Sequence, residues 1–143
     1  MSEVIFTSKA AARNGRDGHV RSADGLIDLK LVNPAGTNEG TGSNPEQLFA
    51  AAYSSCFDGA LHLMAAKKNQ NIDSETTAEV RFCKDPDDGG NKIAVTLDVR
   101  VEGVNPEEAE ELANEAHQVC PYSKATRGNI AVTLNPRAVE KPS

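Results

Sequence analysis

The residues of this chain with the greatest capacity for chemistry are three cysteines, Cys56, Cys83 and Cys120. An odd number does not make a closed disulfide framework, and the first residues show no secretion signal, so we expect a reducing, cytoplasmic location. In that compartment, cysteines that matter are more often catalytic or metal-binding than structural. The cysteines are therefore the first candidates for a functional site.

Cys56 and Cys120 fall on two segments that are both predicted to be core helices. Cys56 lies in a nearly apolar stretch after the helix start at 44–47, and Cys120 shares an apolar stripe with Leu112 and Ala116. If the two helices pack together, one thiolate can be oxidised while the other forms a disulfide with it. The alternative is that both are small buried hydrophobic residues.

A reactive cysteine needs a lowered pKa, and Cys56 is too far from the start of its helix for the helix dipole to provide it. The positive charge must come from elsewhere in the chain. The candidates are Arg16, in the turn at 15–18, and Arg127. Cys83 shares its strand parity with Glu79 and Arg81, so we predict that it lies on the polar face or at the end of the strand and has no role.

The apolar and polar periodicity predicts an α+β chain that forms a single domain over residues 1–143. The predicted elements are strands at 4–8, 19–23 and 26–32, a helix from 45 to about 69, strands at 77–83 and 93–101, a helix ended by Pro121, and a strand at 130–134 before a frayed tail. With aromatic residues at only 4% and no Trp, the core of a lone copy would be thin. Association with a second copy would bury more surface.

Charge and hydropathy exclude two classes of partner. The formal net charge is −6, which argues against a nucleic-acid or anionic-membrane surface because both need basic patches. The longest nearly apolar stretch, 48–57, is far shorter than the roughly 20 residues needed to span a bilayer. We therefore expect neither nucleic acid nor a membrane as a partner.

Three segments of the chain resemble one known family. NPEQLFAAAYSSCF (44–57), AHQVCPYSKATRGNI (116–130) and GRDG (15–18) are similar to signature segments of the organic hydroperoxide resistance (Ohr) proteins of the OsmC/Ohr superfamily. The resemblance covers nearly the whole chain. It implies mostly antiparallel strands wrapped around two central helices in an intertwined homodimer.

The resemblance also implies an activity and the residues that carry it. The chain would be a thiol peroxidase that reduces alkyl and fatty-acid hydroperoxides to alcohols and protects against oxidative stress. Cys56 matches the peroxidatic cysteine, Cys120 the resolving cysteine, and Arg16 and Glu46 the active-site arginine and glutamate. No metal or bound cofactor is implied. The expected electron donor is an external dithiol, a lipoylated protein or dihydrolipoamide.

The spacing along the first helix raises two further questions. Glu46 and Cys56 on one straight helix would be separated by about 15 Å of rise and about 80° of turn. Either the helix breaks between them, or Glu46 and Arg16 act on the partner subunit's Cys56, which we favour. Near Cys56, four apolar residues could form a pocket wall for an alkyl chain, although plain core packing is expected for at least two of them: Phe49, Phe57, Leu61 and Met64.

Two alternative functions use the same residues. In a peroxide sensor, the cysteine pair would switch a conformation without turnover. In a metal site, His117 would join Cys56 and Cys120, because the i, i+3 spacing of His117 and Cys120 can share a ligand. However, His117 lies about 60° from the Cys120 direction on the helix, and the chain has no CxxC motif. His117, like His19 and His62, is therefore expected to be an ordinary histidine.

Overall fold

The computed structural model describes residues 2–139, which divide into two compact units. The N-terminal unit extends to Leu48 and the C-terminal unit begins at Phe49. The helices and strands are β1 (Ala10–Arg13), β2 (His19–Ser22), β3 (Asp28–Lys30), α1 (Pro45–Lys67), β4 (Asp73–Lys84), β5 (Asn91–Glu102), α2 (Pro106–Val119), α3 (Pro121–Thr126) and β6 (Val132–Val139). This composition confirms the predicted α+β class. That the whole chain forms one domain stays a prediction.

The N-terminal unit contains an antiparallel sheet in the order β1-β2-β3. All residues of β1 and β3 are exposed, and those of β2 alternate between exposed and half-buried. Among residues 2–48, the buried hydrophobic side chains are Leu31 and Val32. This sheet therefore has almost no hydrophobic core of its own.

The C-terminal unit contains a second sheet and most of the hydrophobic core. In the order β4-β5-β6, β4 and β5 are antiparallel while β5 and β6 are parallel. The inward residues of β5 are fully buried at every second position, as the sequence alternation predicts: Val95, Leu97, Val99 and Val101. They belong to one core cluster with side chains from α1 and α2.

Both long helices begin with caps that the sequence predicts. The Asn44 side chain accepts a hydrogen bond from the backbone N–H of Gln47 at 2.8 Å. At α2, Asn105 accepts from the Glu108 N–H at 2.8 Å, and the Glu108 carboxylate accepts from the Asn105 N–H at 3.0 Å. These bonds satisfy backbone donors that a helix start leaves unpaired. They fix where the helices that carry the two cysteines begin.

Two predicted elements were wrong in detail, and one short helix was not predicted. Residues 4–8 form no strand, and β1 begins at Ala10 instead. Pro121 ends α2 as predicted, but it also begins α3, because proline suits the first position of a helix. The predicted frayed tail is part of β6 as far as Val139, and residues 140–143 lie outside the described part of the chain. Pro136 is compatible with this strand because β6 is at the edge of its sheet.

Candidate active site

The structure brings Cys56 and Cys120 together. Cys56 lies in the middle of α1 and is half-buried, whereas Cys120 is fully buried between the end of α2 and the start of α3. Their sulfur atoms are 3.3 Å apart and both thiols are free. A disulfide needs about 2.05 Å between sulfurs, so only a small movement separates this reduced pair from a bond.

The Cys56 thiol has a raised pKa in this environment. The main cause is burial, which disfavours the charged thiolate. The hydrogen bond with Cys120 raises the pKa further, while the backbone N–H of Tyr122 lowers it in part. Because these groups leave the pKa above its ordinary value, efficient attack by Cys56 needs an additional positive charge.

Arg16 and Glu46 form an ion pair within the N-terminal unit. The guanidinium Nη1 donates to Glu46 Oε2 at 2.8 Å, and the Glu46 side chain is largely buried. This hydrogen bond is the main reason that the pKa of Glu46 is lowered and that of Arg16 is raised. The arginine is therefore held in one orientation by a charged partner.

The turn that carries Arg16 has a specific backbone. Asn14 and Gly15 both adopt positive φ, at 61° and 64°, the left-handed region that asparagine and glycine tolerate best. A Cβ at Gly18 would lie 1.7 Å from the Arg13 carbonyl oxygen, so only glycine fits. Asp17 completes the turn by accepting a hydrogen bond from the Asn33 N–H at 2.9 Å. The GRDG sequence is thus explained by the conformation that presents Arg16.

The second candidate cation, Arg127, supports the end of α2. It donates from Nη1 to the Gln118 side chain at 3.3 Å and from Nη2 to the Gln118 carbonyl at 3.4 Å. That carbonyl belongs to the last turn of α2, where helix carbonyls lack partners within the helix. Arg127 therefore stabilises the segment immediately before Cys120.

An apolar cavity lies within the C-terminal unit beside α3. Its volume is about 350 Å³, and it is lined by Phe49, Ile93, Tyr122, Ala125, Thr126, Asn129 and Ile130. Phe49 packs edge-on against Tyr53, with ring centroids 5.9 Å apart, and is 6.4 Å from Tyr122. Tyr122 lines this cavity and follows Cys120 by two positions, and its backbone N–H hydrogen-bonds the Cys56 sulfur.

Among the predicted pocket residues, only Phe49 lines this cavity. Phe57, Leu61 and Met64 are buried in the core cluster, so the core interpretation holds for these three. They lie two or more turns further along α1 than Phe49, and they belong to one cluster with side chains of α2 and β5. Sequence reasoning missed Tyr122 and Ile130, because the short helix α3 that presents this wall was not predicted.

Sequence reasoning also missed a chain of hydrogen-bonded side chains, which we call the hydroxyl network: Tyr53, Ser123, Thr126 and His117. The Tyr53 hydroxyl is 2.7 Å from Ser123 Oγ and 3.0 Å from Thr126 Oγ1, and His117 Nδ1 is 2.8 Å from Ser123 Oγ. Burial, followed by the charge of Arg127, lowers the pKa of His117, which favours the neutral ring.

The remaining cysteine and histidines lie elsewhere in the fold. Cys83 is half-buried on β4, with its sulfur 3.7 Å from the Arg81 carbonyl oxygen. His62 contacts Ser74 on β4 at 2.7 Å, and His19 pairs with Asp28 at 2.6 Å. No three His, Cys, Asp or Glu side chains within residues 2–139 are arranged to hold a metal ion.

This fold and these segments are shared with known proteins. The OsmC-like protein family matches residues 36–135. The organic hydroperoxide resistance protein OhrB of Bacillus subtilis is 53% identical over 132 residues, which cover 92% of this chain and 97% of the relative. The chain therefore belongs to the OsmC-like family, in its organic hydroperoxide resistance group.

Solved structures show the same relationship at the level of the fold. The crystal structure of OhrB of Bacillus subtilis has a TM-score of 0.89 and 50% identity, and the match covers 96% of this chain and all (100%) of that one. A structure of an organic hydroperoxide resistance protein from Elizabethkingia anophelis, with thiocyanate bound, has a TM-score of 0.87 and 40% identity, covering 98% and 100%. The predicted Ohr-like fold is confirmed.

A membrane-spanning helix is not found in the described part of the chain, since no helix between residues 2 and 139 has both the length and the apolar character to cross a bilayer.

Proposed function

We propose that this protein is a cysteine-based thiol peroxidase that reduces organic hydroperoxides to alcohols. The observation that carries the proposal is the 3.3 Å separation of the Cys56 and Cys120 sulfurs in a partly buried position. The names of the relatives, organic hydroperoxide resistance proteins, support the same substrate class. Metal-free thiol chemistry accounts for the whole reaction.

The reaction begins when the Cys56 thiolate attacks the distal oxygen of ROOH. The sulfur gains the hydroxyl group and becomes a sulfenic acid, while the O–O bond breaks and RO⁻ leaves, to be protonated to the alcohol. The Cys120 sulfur then attacks Cys56, and the sulfenic hydroxyl leaves as water with the Cys120 thiol proton. The product is a Cys56–Cys120 disulfide, and the hydroperoxide has been reduced by two electrons.

Arg16 is proposed to supply the positive charge that the Cys56 thiolate needs. A guanidinium can hydrogen-bond both the thiolate and the peroxide oxygens, on which negative charge develops in the transition state. The ion pair with Glu46 would keep the Arg16 guanidinium in one orientation, although the Glu46 carboxylate also weakens the positive electrostatic potential at Cys56. Arg16 would therefore stabilise negative charge at the reacting atoms, and Glu46 would orient Arg16.

We propose that Arg16 and Glu46 act on the partner subunit's Cys56 in a homodimer. One continuous helix, α1, contains both Glu46 and Cys56, which gives no support to a helix break between them. Ten residues of helix separate two positions by about 15 Å. A second copy resolves this distance problem, because it can present its own cysteine next to the ion pair.

The cavity beside α3 supports an apolar substrate. Its lining is mostly carbon, with Phe49, Tyr122 and Ile130 among its walls, and such a surface favours alkyl or acyl chains over hydrogen peroxide. A dithiol reductant would then attack the disulfide and release both cysteines by two successive exchanges. We propose a lipoylated protein or dihydrolipoamide in a cytoplasmic location, with no other cofactor.

Thiol titration tests this function directly. One equivalent of tert-butyl hydroperoxide should remove two thiols per chain, and dihydrolipoamide should restore them with repeated turnover. Cys56→Ser should abolish both effects, while the matched variant Cys83→Ser should keep them. Oxidation that is stoichiometric but without turnover would favour the sensor alternative, and unchanged thiols would contradict both. Rates with cumene and fatty-acid hydroperoxides would then define the substrate range.

A further inference from the structure

We propose that the hydroxyl network is a positioning device that holds Cys120 ready to attack oxidised Cys56. Tyr53, Ser123 and Thr126 would be positioning residues, with His117 at the outer end of the network. This inference rests on the proposed function, because it concerns the second chemical step of that reaction. It adds the requirement that side chains other than the two cysteines hold Cys120 in position for disulfide formation.

The network joins the two segments that carry the cysteines. Tyr53 lies on α1, three positions before Cys56, and Ser123 lies on α3, three positions after Cys120. The Tyr53 hydroxyl contacts both Ser123 and Thr126 at 2.7 and 3.0 Å. The hydrogen bonds therefore cross from the helix of one cysteine to the short helix beside the other.

These hydrogen bonds are buried, which makes them worth more than bonds at a surface. Tyr53 and Ser123 are 0% exposed and Thr126 is 7% exposed. Thr126 Oγ1 also donates to the Tyr122 and Ser123 carbonyl oxygens at 3.0 and 3.2 Å. Loss of the Tyr53 hydroxyl would leave Ser123 bonded to His117 and Thr126 bonded to carbonyl oxygens of α3, so these side-chain hydrogen bonds between α1 and α3 would be lost and the contact would loosen.

The helix α3 depends on such contacts because it is only six residues long. A helix of one or two turns is not stable on its own, so its place is set by what it packs against. Cys120 is the residue immediately before α3, so its position follows that of this helix. Movement of α3 would therefore change the distance between the two sulfurs.

The chemical consequence falls on one step. Disulfide formation requires the Cys120 sulfur to approach Cys56 from 3.3 Å to about 2.05 Å in a narrow range of angles. The first step, attack of Cys56 on the hydroperoxide, does not involve Cys120 as a reactant. A loosened network should therefore slow the disulfide step and leave the first step nearly unchanged. The longer-lived sulfenic acid would then react with a second hydroperoxide, giving sulfinic acid and a second alcohol.

Tyr53→Phe tests this prediction because it removes the hydroxyl and keeps the ring. Rapid mixing with cumene hydroperoxide, followed by mass spectrometry of dimedone-trapped and untrapped samples, measures both steps separately. We expect disulfide formation to slow by about tenfold, the effect of one weakened buried hydrogen bond on a barrier. Sulfenic acid formation should change less than about twofold, and sulfinic acid should accumulate. Ser55→Ala is the matched control, since that exposed hydroxyl bonds only carbonyl oxygens of its own helix.

A second variant guards against a simple folding defect. Ser123→Ala removes the hydroxyl that Tyr53 and His117 both contact, at a residue outside the cavity lining. This variant should show the same slow disulfide step, while sulfenic acid formation at the wild-type rate shows that the protein is folded. Equal slowing of both steps, or an unchanged disulfide rate in Tyr53→Phe and Ser123→Ala, would overturn the proposal. Failure of the wild-type protein itself to form the Cys56–Cys120 disulfide would instead contradict the proposed function on which it rests.

Discussion

At the scale of single residues, the Cys56 environment poses the main chemical question. Burial and the neighbouring Cys120 raise the pKa of Cys56, which lowers the fraction of reactive thiolate at neutral pH. A peroxidatic cysteine needs the opposite change. Lowering the pKa of Cys56 requires a nearby positive charge, and we propose that Arg16 supplies it.

This proposal predicts a change in the pH dependence of Cys56. In wild-type protein, a nearby guanidinium should lower the apparent pKa of the Cys56 thiol; in Arg16→Ala that charge is absent, and burial keeps the pKa raised. We expect the pH profile of iodoacetamide alkylation to move upwards by at least about one pH unit. The measurement uses a Cys83→Ser/Cys120→Ser background, so that only Cys56 reacts.

The control for this measurement is Arg13→Ala, which removes the same charge three positions earlier in the chain. Its alkylation profile should overlap with that of the background protein. An identical profile for Arg16→Ala would contradict the role of this arginine. It would show that some other group counteracts the effect of burial.

The sequence predicted the candidate cysteines but not the hydroxyl network beside them. Cysteine, arginine and a GRDG turn are distinctive, so their spacing could be recognised without a structure. Tyr53, Ser123 and Thr126 are ordinary core and loop residues in a linear sequence. Their hydrogen bonds join residues that are 70 and 73 positions apart in the chain, and such contacts are not encoded in local periodicity.

At the scale of elements, α2 matters because its end carries Cys120. Its start has a full capping box, in which Asn105 and Glu108 each accept a backbone hydrogen bond from the other. Removal of such a cap leaves a helix N–H without its partner. The helix stripe of Leu112 and Ala116, which packs in the core, would then be held less firmly.

Asn105→Ala should lower the free energy of unfolding by about 1 kcal/mol. Urea denaturation followed by circular dichroism measures this value directly. Glu110→Ala is a suitable control, because Glu110 is exposed on the same helix and surface changes usually stay within about 0.5 kcal/mol. Equal stability of the Asn105 and Glu110 variants would show that the cap adds little to the fold.

The elements that the sequence predicted best are those with strong local signals. The helix α1 has a cap and a long apolar stretch, and β5 has strict alternation. The errors lie where local signals are weaker or ambiguous: residues 4–8 form no strand, Pro121 both ends α2 and begins α3, and Pro136 lies within an edge strand. In these cases tertiary packing decided between alternatives that were locally equivalent.

At the scale of the whole molecule, the N-terminal unit has large apolar side chains that are exposed in the described part of the chain. Val4 is 75%, Ile5 91%, Phe6 81% and Leu26 87% exposed. A sheet of three short strands with few buried side chains has little independent stability, and exposed apolar surface of sufficient size marks interaction sites. We interpret this surface as the region that a second copy covers in the proposed homodimer.

A mixed dimer tests whether the partner also completes the active site. Protomers carrying Cys56→Ser and Arg16→Ala should each be inactive alone for different reasons. If the site crosses the subunits, a mixed dimer contains one complete site, formed by the Arg16 of one protomer and the Cys56 of its partner. Random mixing places about half of the protomers in such dimers, so the pool should regain about a quarter of wild-type peroxidase activity.

The opposite arrangement predicts no recovery at all. If Arg16 and Cys56 act within one chain, every site in the mixed dimer lacks one of them. Mixing should therefore be done after reversible denaturation of both variants, with each variant refolded alone as the reference. Recovered activity that rises with the fraction of mixed dimers would support a shared site. Activity that stays at the level of the separate variants, while mass spectrometry shows mixed dimers, would place the arginine and the cysteine in the same subunit.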